Sequence, residues 1–255
     1  MKRILSVIFW VLWMIFFNIV TQVFSIILLL ASFFIKNRRH LRIFVRIWGR
    51  IGIRMGFCTV EIKGKENMID EPAMIACNHM SNLDVVVCEG YIPSYFLFLS
   101  KKEVFNVPIV GQLMRKLGHI SIDRSRPKKA AMSLKKAIEI VKEGNQILIY
   151  PEGSRNPNPR EMLPLKPGAL LVARQGKVPI VPVILYGTSK ILPVDKKFYF
   201  FPHKIIMNIL PPIYPGDELH PATAETVKVE DEILEKLRLY LSKIYNEMAD
   251  EMEKK

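Results

Sequence analysis

Cysteine is scarce in this 255-residue chain: Cys58, Cys77 and Cys88 are the only three, and they show no paired spacing. That excludes a disulfide scaffold and points to a reducing compartment. No metal motif is present, since His79 has no second histidine or cysteine at ligand spacing. P-loop and dinucleotide fingerprints are absent too, which removes the common nucleotide-binding signatures. Acidic residues are missing from the first 60 positions, which hold nine Lys or Arg and so supply nine of the thirteen excess positive charges. Charge, glycine and proline are all missing from Ile4 to Ile35. No small-residue cleavage site follows this run, only Lys36-Asn37-Arg38-Arg39-His40, so it does not read as a signal-peptide core.

As one helix the apolar run would be about 48 Å long, beyond the roughly 30 Å of bilayer hydrocarbon. Basic residues flank it on both sides, so positive charge selects no orientation. The arrangement expected is a helical pair that dips into one leaflet and returns, with a single tilted span as the alternative. Downstream, Arg42, Arg46, Arg50 and Arg54 recur every four residues among Ile43, Phe44, Ile47, Trp48 and Ile51. This pattern predicts an interfacial helix with its apolar face down and its arginines at the headgroups. The basicity therefore points to a membrane; no RNA- or DNA-binding motif accompanies it, so no nucleic-acid partner is expected.

Chemistry concentrates at Asn78-His79-Met80-Ser81-Asn82-Leu83-Asp84. Ala73 to Cys77 reads as a short buried strand, and Ser81 and Asn82 can cap a helix beginning near Leu83. Positions five apart on one helix are rotated by about 140°, so His79 and Asp84 meet only across such a bend. If Asp84 accepts from one ring nitrogen, the other is held as an acceptor and the imidazole becomes an oriented general base. The alternative is a satisfied surface histidine beside an N-cap. His119 and Asp123 lie on an alternating, strand-like stretch and stand about 13 Å apart, so His119 reads as structural. Cys77 and Cys88 sit in apolar surroundings, which disfavours a thiolate nucleophile.

A second cluster is Tyr150-Pro151-Glu152-Gly153-Ser154-Arg155, at the end of a hydrophobic strand. Glycine lets backbone approach a ligand, and Arg155 can fork onto a phosphate or carboxylate; an ordinary turn with an exposed arginine is the alternative. Ser154 lacks the second glycine of a G-x-S-x-G elbow and is not read as a nucleophile. Strand candidates end near Cys77, Ser100, Asp123 and Tyr150, and just past those ends come His79, Lys101 with Lys102, Arg124, and Glu152 with Arg155. Ligands in open α/β sheets gather at the carboxyl ends of strands, so one site with a base, an acid and several cations is expected. It suits a phosphorylated substrate with a hydroxyl to be activated.

From Cys58 to Tyr214 strand and helix signals alternate, including an amphipathic helix opened by Pro127 and stopped at Gly144. The fold class expected is α/β: one domain, residues 58–255, with a mixed sheet flanked by helices, preceded by a membrane-associated helical segment, residues 1–57. The stretch between Pro211 and Thr226 reads as loop. Leu234, Leu237, Leu241, Ile244 and Met248 then mark a final helix that packs on the domain.

Asn78-His79-x4-Asp84, Ile122-Asp123-Arg124, Pro151-Glu152-Gly153-Ser154-Arg155 and Val178-Pro179-Ile180-Val181-Pro182-Val183 stand in the order of the four blocks of the glycerolipid acyltransferases. Over about Cys58 to Leu210 the chain resembles the 1-acyl-sn-glycerol-3-phosphate, or lysophosphatidic acid, acyltransferases of that family. Tyr150, Ser154 and Asn156 depart from the usual Phe, Thr and Ser of the third block. The resemblance implies acyl transfer from acyl-CoA or acyl carrier protein to lysophosphatidic acid, with no cofactor and no covalent enzyme intermediate. His79 oriented by Asp84 would be the base, and Arg124 and Arg155, with Lys101, would hold the acceptor phosphate. Glu152 and Gly153, with Ser154 beside them, would shape the glycerol pocket. Glycerol 3-phosphate or another lysophospholipid as acceptor, a lipid hydrolase, and a non-enzymatic membrane module are the competing functions. The implied partners are membrane lipids and the acyl carrier, and the implied location is the cell (inner) membrane, with the site at its cytoplasmic face.

Overall fold

The computed structural model describes residues 2–158, 160–195, 199–214 and 224–254. The chain opens with two helices, α1 (Lys2–Phe34) and α2 (Arg38–Met55), before β1 (Thr59–Lys63). Then come β2 (Met74–Cys77), α3 (Leu83–Tyr91), β3 (Phe96–Lys101), α4 (Val110–Leu117), β4 (Ile120–Ile122), α5 (Pro127–Lys142) and β5 (Gln146–Ile149). The remainder is α6 (Gly168–Gly176), β6 (Ile180–Tyr186), α7 (Thr188–Ile191), β7 (Lys204–Ile209) and α8 (Ala224–Glu253). Of the stretch read as loop after Pro211, Ile213 bridges Ile180, α8 has begun by Ala224, and residues 215–223 lie outside the described residues.

The strands form one mixed sheet in the order β1-β7-β6-β2-β5-β3-β4, parallel throughout except for the β6–β7 pair. Alternate residues along each strand face opposite sides, which splits the core in two. Ile75, Cys77, Phe98, Leu148 and Tyr150 pack under α3 and the amino-terminal helices. Met74, Ala76, Leu99, Ile147 and Ile149 pack under α5 and α6. The carboxyl-terminal helix packs through Leu234, Leu241 and Met248, as its spacing predicts. The four expected strand ends belong to β2, β5, β3 and β4, which are contiguous and parallel and so open on one edge of the sheet.

Two expectations about the amino terminus are corrected. The apolar run does not fold into a pair of helices; it is one uninterrupted helix, because it holds no glycine or proline at which to turn. The helix that folds back on it is the basic α2. The arginines of α2 also do not form one free stripe, although Arg54 is exposed. Arg42 is buried in an ion pair with Glu89 and over the Phe96 ring, Arg46 donates to the carbonyls of Ile92 and Pro93, and Arg50 donates to that of Gly90. The last carbonyls of α3 have no intrahelical donors and carry the negative end of its dipole, so guanidinium groups are their natural partners. Gly49 allows the approach: a Cβ there would stand 2.6 Å from the Gly90 nitrogen and 2.7 Å from the Val86 oxygen.

The first helix is docked along most of its length. Ser6 bonds the Phe200 backbone, the Trp13 indole donates to the Gly52 carbonyl, Thr21 accepts from Trp48, and Lys116 sits 5.3 Å over the Phe33 ring. From Ser6 to Phe33 that is about 40 Å of helix. Its other side is an exposed apolar surface that includes Ile8, Leu12, Ile15, Ile19, Ile26 and Leu30. By length and composition α1 is long enough to cross a membrane.

Candidate active site

The bend between β2 and α3 brings His79 and Asp84 together: His79 Nδ1 lies 2.8 Å from Asp84 Oδ2. The same oxygen accepts the backbone N–H groups of Met80 at 2.7 Å and Ser81 at 2.8 Å. Ser81 Oγ in turn accepts from Leu83 N–H, the capping expected of this turn, whereas Asn82 makes no side-chain cap. Asp84 is fully buried, so its carboxylate is clamped in place before it meets the ring. The only proton on Nδ1 is the one shared with this carboxylate, which leaves Nε2 as the acceptor. The His79 side chain keeps 17% of its surface exposed, enough to be reached from outside.

The third block folds against this turn from β5. The Tyr150 ring stacks on the imidazole with centroids 4.0 Å apart and planes 14° apart. Glu152, for which the resemblance implies a part in shaping the glycerol pocket, turns its carboxylate inward and is only 2% exposed. Its oxygens accept the N–H of His79 at 2.9 Å and of Leu163 at 3.0 Å, because those buried donors have no ladder partner. Burial pushes the Glu152 carboxyl up, opposed by the hydrogen bonds from His79 and Leu163. Asn156, the departure from the usual block, is buried and ties the loop down: its N–H donates to the His79 carbonyl at 2.7 Å and its amide to the Glu161 carbonyl at 2.6 Å.

The cations stand on the rim. Gly153 has φ +74°, and the point where its Cβ would lie is 3.2 Å from Lys166 Cγ, 3.7 Å from Lys166 Cε and 3.9 Å from Arg124 Nη1. The side chains of Lys166 and Arg124 thus both pass close to this glycine turn. Arg155 and Ser154 are exposed beside them, and Lys101 is exposed at the end of β3. Lys102 pairs with Asp123 at 2.9 Å, and hydrogen bonds from Ser125 and Lys102 pull that carboxyl down to about 2. His119 stays structural, accepting the Phe98 N–H at 2.9 Å, and burial with Arg42 nearby pushes it down to about 3. Cys77 and Cys88 are buried 3.8 Å apart, and burial raises the Cys77 thiol.

A cavity of about 210 Å³ opens between α1 (Phe24, Leu28), α3 (Val85), β3 (Phe98) and α4 (Leu113, Leu117). Phe98 links cavity and site, its ring 6.1 Å from that of Tyr150. Sequence reasoning missed Tyr150, Asn156 and Lys166 as parts of the site. The first sits on the predicted strand end, so a stack on His79 was signalled only by both residues closing neighbouring strands.

A family model described as acyltransferase matches residues 59–186. The chain is 33% identical over 184 residues to the chloroplastic 1-acyl-sn-glycerol-3-phosphate acyltransferase BAT2 of Brassica napus, covering 71% of this chain and 53% of that protein. To the 1-acyl-sn-glycerol-3-phosphate acyltransferase of Saccharomyces cerevisiae it is 34% identical, covering 70% and 60%. To that of Bacillus subtilis it is 32% identical, covering 69% and 84%. It therefore spans between 53% and 60% of the length of the first two. The crystal structure of the 1-acyl-sn-glycerophosphate (LPA) acyltransferase PlsC from Thermotoga maritima superposes with a TM-score of 0.78 at 24% identity, covering 98% of both chains, and shows the same fold. With a family model over half of its residues and relatives above 30% identity over more than two thirds of its length, the chain belongs to the acyltransferase family.

Proposed function

We propose that the protein transfers an acyl chain from an acyl thioester, acyl-CoA or acyl carrier protein, to the sn-2 hydroxyl of lysophosphatidic acid, giving phosphatidic acid. The observation that carries this reading is the clamped His79–Asp84 pair with Nε2 left open. Nε2 takes the proton of the hydroxyl as its oxygen attacks the thioester carbonyl. The tetrahedral intermediate collapses with cleavage of the C–S bond, and the imidazolium returns the proton to the departing thiolate. A thioester is already activated, so no enzyme nucleophile is needed, and a positioned base of this kind contributes about 10²- to 10⁴-fold.

The two faces of the sheet sort the substrate. Tyr150 and the cavity lie on the side of α1, α2 and α3, which suits an apolar chain. Lys101 and Arg124 continue the alternation of the other side and, with Lys166 and Arg155 around Gly153, offer cations for a phosphate dianion. Docking of α1 over about 40 Å favours an orientation in one leaflet, since a perpendicular span would drag the attached domain into hydrocarbon. Such a seat keeps His79 near headgroup level at the cytoplasmic face of the cell membrane, where soluble donors reach it.

The test is acyl transfer by the full chain in detergent from a long-chain acyl thioester. Lysophosphatidic acid, glycerol 3-phosphate and a lysophospholipid without a terminal phosphate are offered separately, with His79→Ala alongside. Phosphatidic acid formed from the first acceptor and lost in the variant is the expected result. Free fatty acid released regardless of acceptor would make the protein a hydrolase and end the proposal.

A further inference from the structure

An imidazole held only by Asp84 is oriented by one contact. The hydrogen bond at Nδ1 selects one setting of the Cβ–Cγ torsion, but it is a single contact in a broad torsional well, so the ring can still rock about it. The acceptor lone pair of Nε2 lies in the ring plane, so its direction follows that plane. A second restraint is needed, and Tyr150 is where it is found.

The Tyr150 ring lies face to face with the imidazole, centroids 4.0 Å apart and planes within 14°. Tyr150 is itself 7% exposed and held from several directions. Its hydroxyl meets Cys88 Sγ at 3.8 Å, on the helix that carries Asp84, and Phe98 stacks 6.1 Å away at 27°. The chain just after it is stapled to His79 twice, through Glu152, which accepts the His79 N–H, and through Asn156, which donates to the His79 carbonyl. The stack therefore cannot slide without breaking buried hydrogen bonds. The contact sets the two ring planes against each other, so rotation of the imidazole would drive its edge into the Tyr150 face.

We infer that Tyr150 is a positioning residue: its ring holds the His79 imidazole in the plane that points Nε2 at the acceptor hydroxyl. It acts through His79, so the inference rests on the reading of His79 as the base. A flat aromatic face is what the role requires, and the hydroxyl is dispensable.

Three substitutions separate this from plain core packing. Tyr150→Leu and Tyr150→Met keep apolar bulk and remove the flat face; Tyr150→Phe keeps the face. Each is assayed as the full chain in detergent with lysophosphatidic acid and a long-chain acyl thioester. kcat and KM are measured separately, with thermal unfolding and His79→Ala in parallel. Misaiming the base should lower kcat by about 10- to 100-fold in the Leu and Met variants while KM stays within about twofold, and Phe should retain kcat within about threefold. The Met variant, unbranched and adaptable, carries the test if Leu does not fold. Leu and Met variants with kcat within about twofold of the parent would overturn the inference, as would a Phe variant that falls as far as Leu. Full turnover by His79→Ala would instead overturn the underlying reading, so the two failures are told apart.

Discussion

Replacing Asp84 with asparagine separates the charge of this residue from its geometry. Asp84 Oδ2 takes three donors, His79 Nδ1–H, Met80 N–H and Ser81 N–H, while its Oδ1 is buried without a hydrogen-bond partner among the described residues. An asparagine can therefore put its oxygen at the Oδ2 position and its amide nitrogen at the Oδ1 position. The two backbone donors enforce that choice, since the reverse flip would set N–H against N–H. The His79 tautomer is thus preserved and the variant should fold. What it loses is the carboxylate facing the imidazolium that forms as the hydroxyl is deprotonated. Charge-assisted hydrogen bonds are roughly twice as strong as neutral ones, which puts the loss in the transition state at about 2–3 kcal/mol, or roughly 30- to 150-fold in kcat. Asp84→Ala, in contrast, strands two buried N–H groups at about 1–3 kcal/mol each and should unfold at visibly lower temperature. The assay is kcat for acyl transfer beside thermal unfolding in the same detergent. Asparagine at wild-type turnover would refute the role of the charge, and asparagine as unstable as alanine would refute the assigned orientation.

Three further outcomes follow from single contacts. Glu152→Gln keeps the shape but can accept from only one of His79 N–H and Leu163 N–H, setting its amide against the other. A stability loss of about 1–3 kcal/mol is expected, seen as a lower unfolding midpoint in denaturant. Gly49→Ala places a methyl 2.6 Å from the Gly90 nitrogen and should cost about 1–3 kcal/mol by pushing α2 off α3, checked in the same way. Lys166→Ala removes one of the two cationic side chains that pass close to Gly153, so KM for lysophosphatidic acid should rise about 10-fold with kcat nearly unchanged. An equal rise with an acceptor lacking the phosphate would dissociate Lys166 from phosphate recognition.

The strand ends were legible because hydrophobic runs such as Met74–Cys77 and Gln146–Ile149 stop at polar, turn-forming residues, and parallel strands place their carboxyl ends together. His79 and Asp84 were legible for a related reason: a separation of five excludes one helix and requires a bend. The fate of the α2 arginines was not. A basic stripe every four residues looks the same whether it meets lipid headgroups or the open carbonyls of another helix, and only the partner decides. Gly49, on the same helix, was the available sign that a backbone would come close. The bonds of Glu152 were not legible, because its partners are the backbone N–H groups of His79 and Leu163, 73 and 11 residues away, and only the fold brings them together.

The contacts of the α2 arginines have a consequence for the site. α3 is nine residues long, about 13 Å. Asp84 stands in its first turn, and its far end is gripped by Arg46 and Arg50. A helix so short moves as a unit, so whatever seats α2 also seats Asp84. Arg42 adds a buried ion pair to Glu89 in the last turn of the same helix, and breaking such a pair by removing one partner costs about 3–5 kcal/mol. α1 is tied to α2 in turn through Trp13 and Trp48. The α1–α2 pair is therefore continuous with the support of the His79–Asp84 pair. A chain cut free of α1 and α2 would lose the donors for the α3 carbonyls and the inner wall of the cavity at once, and the base would lose its orientation along with its access to lipid.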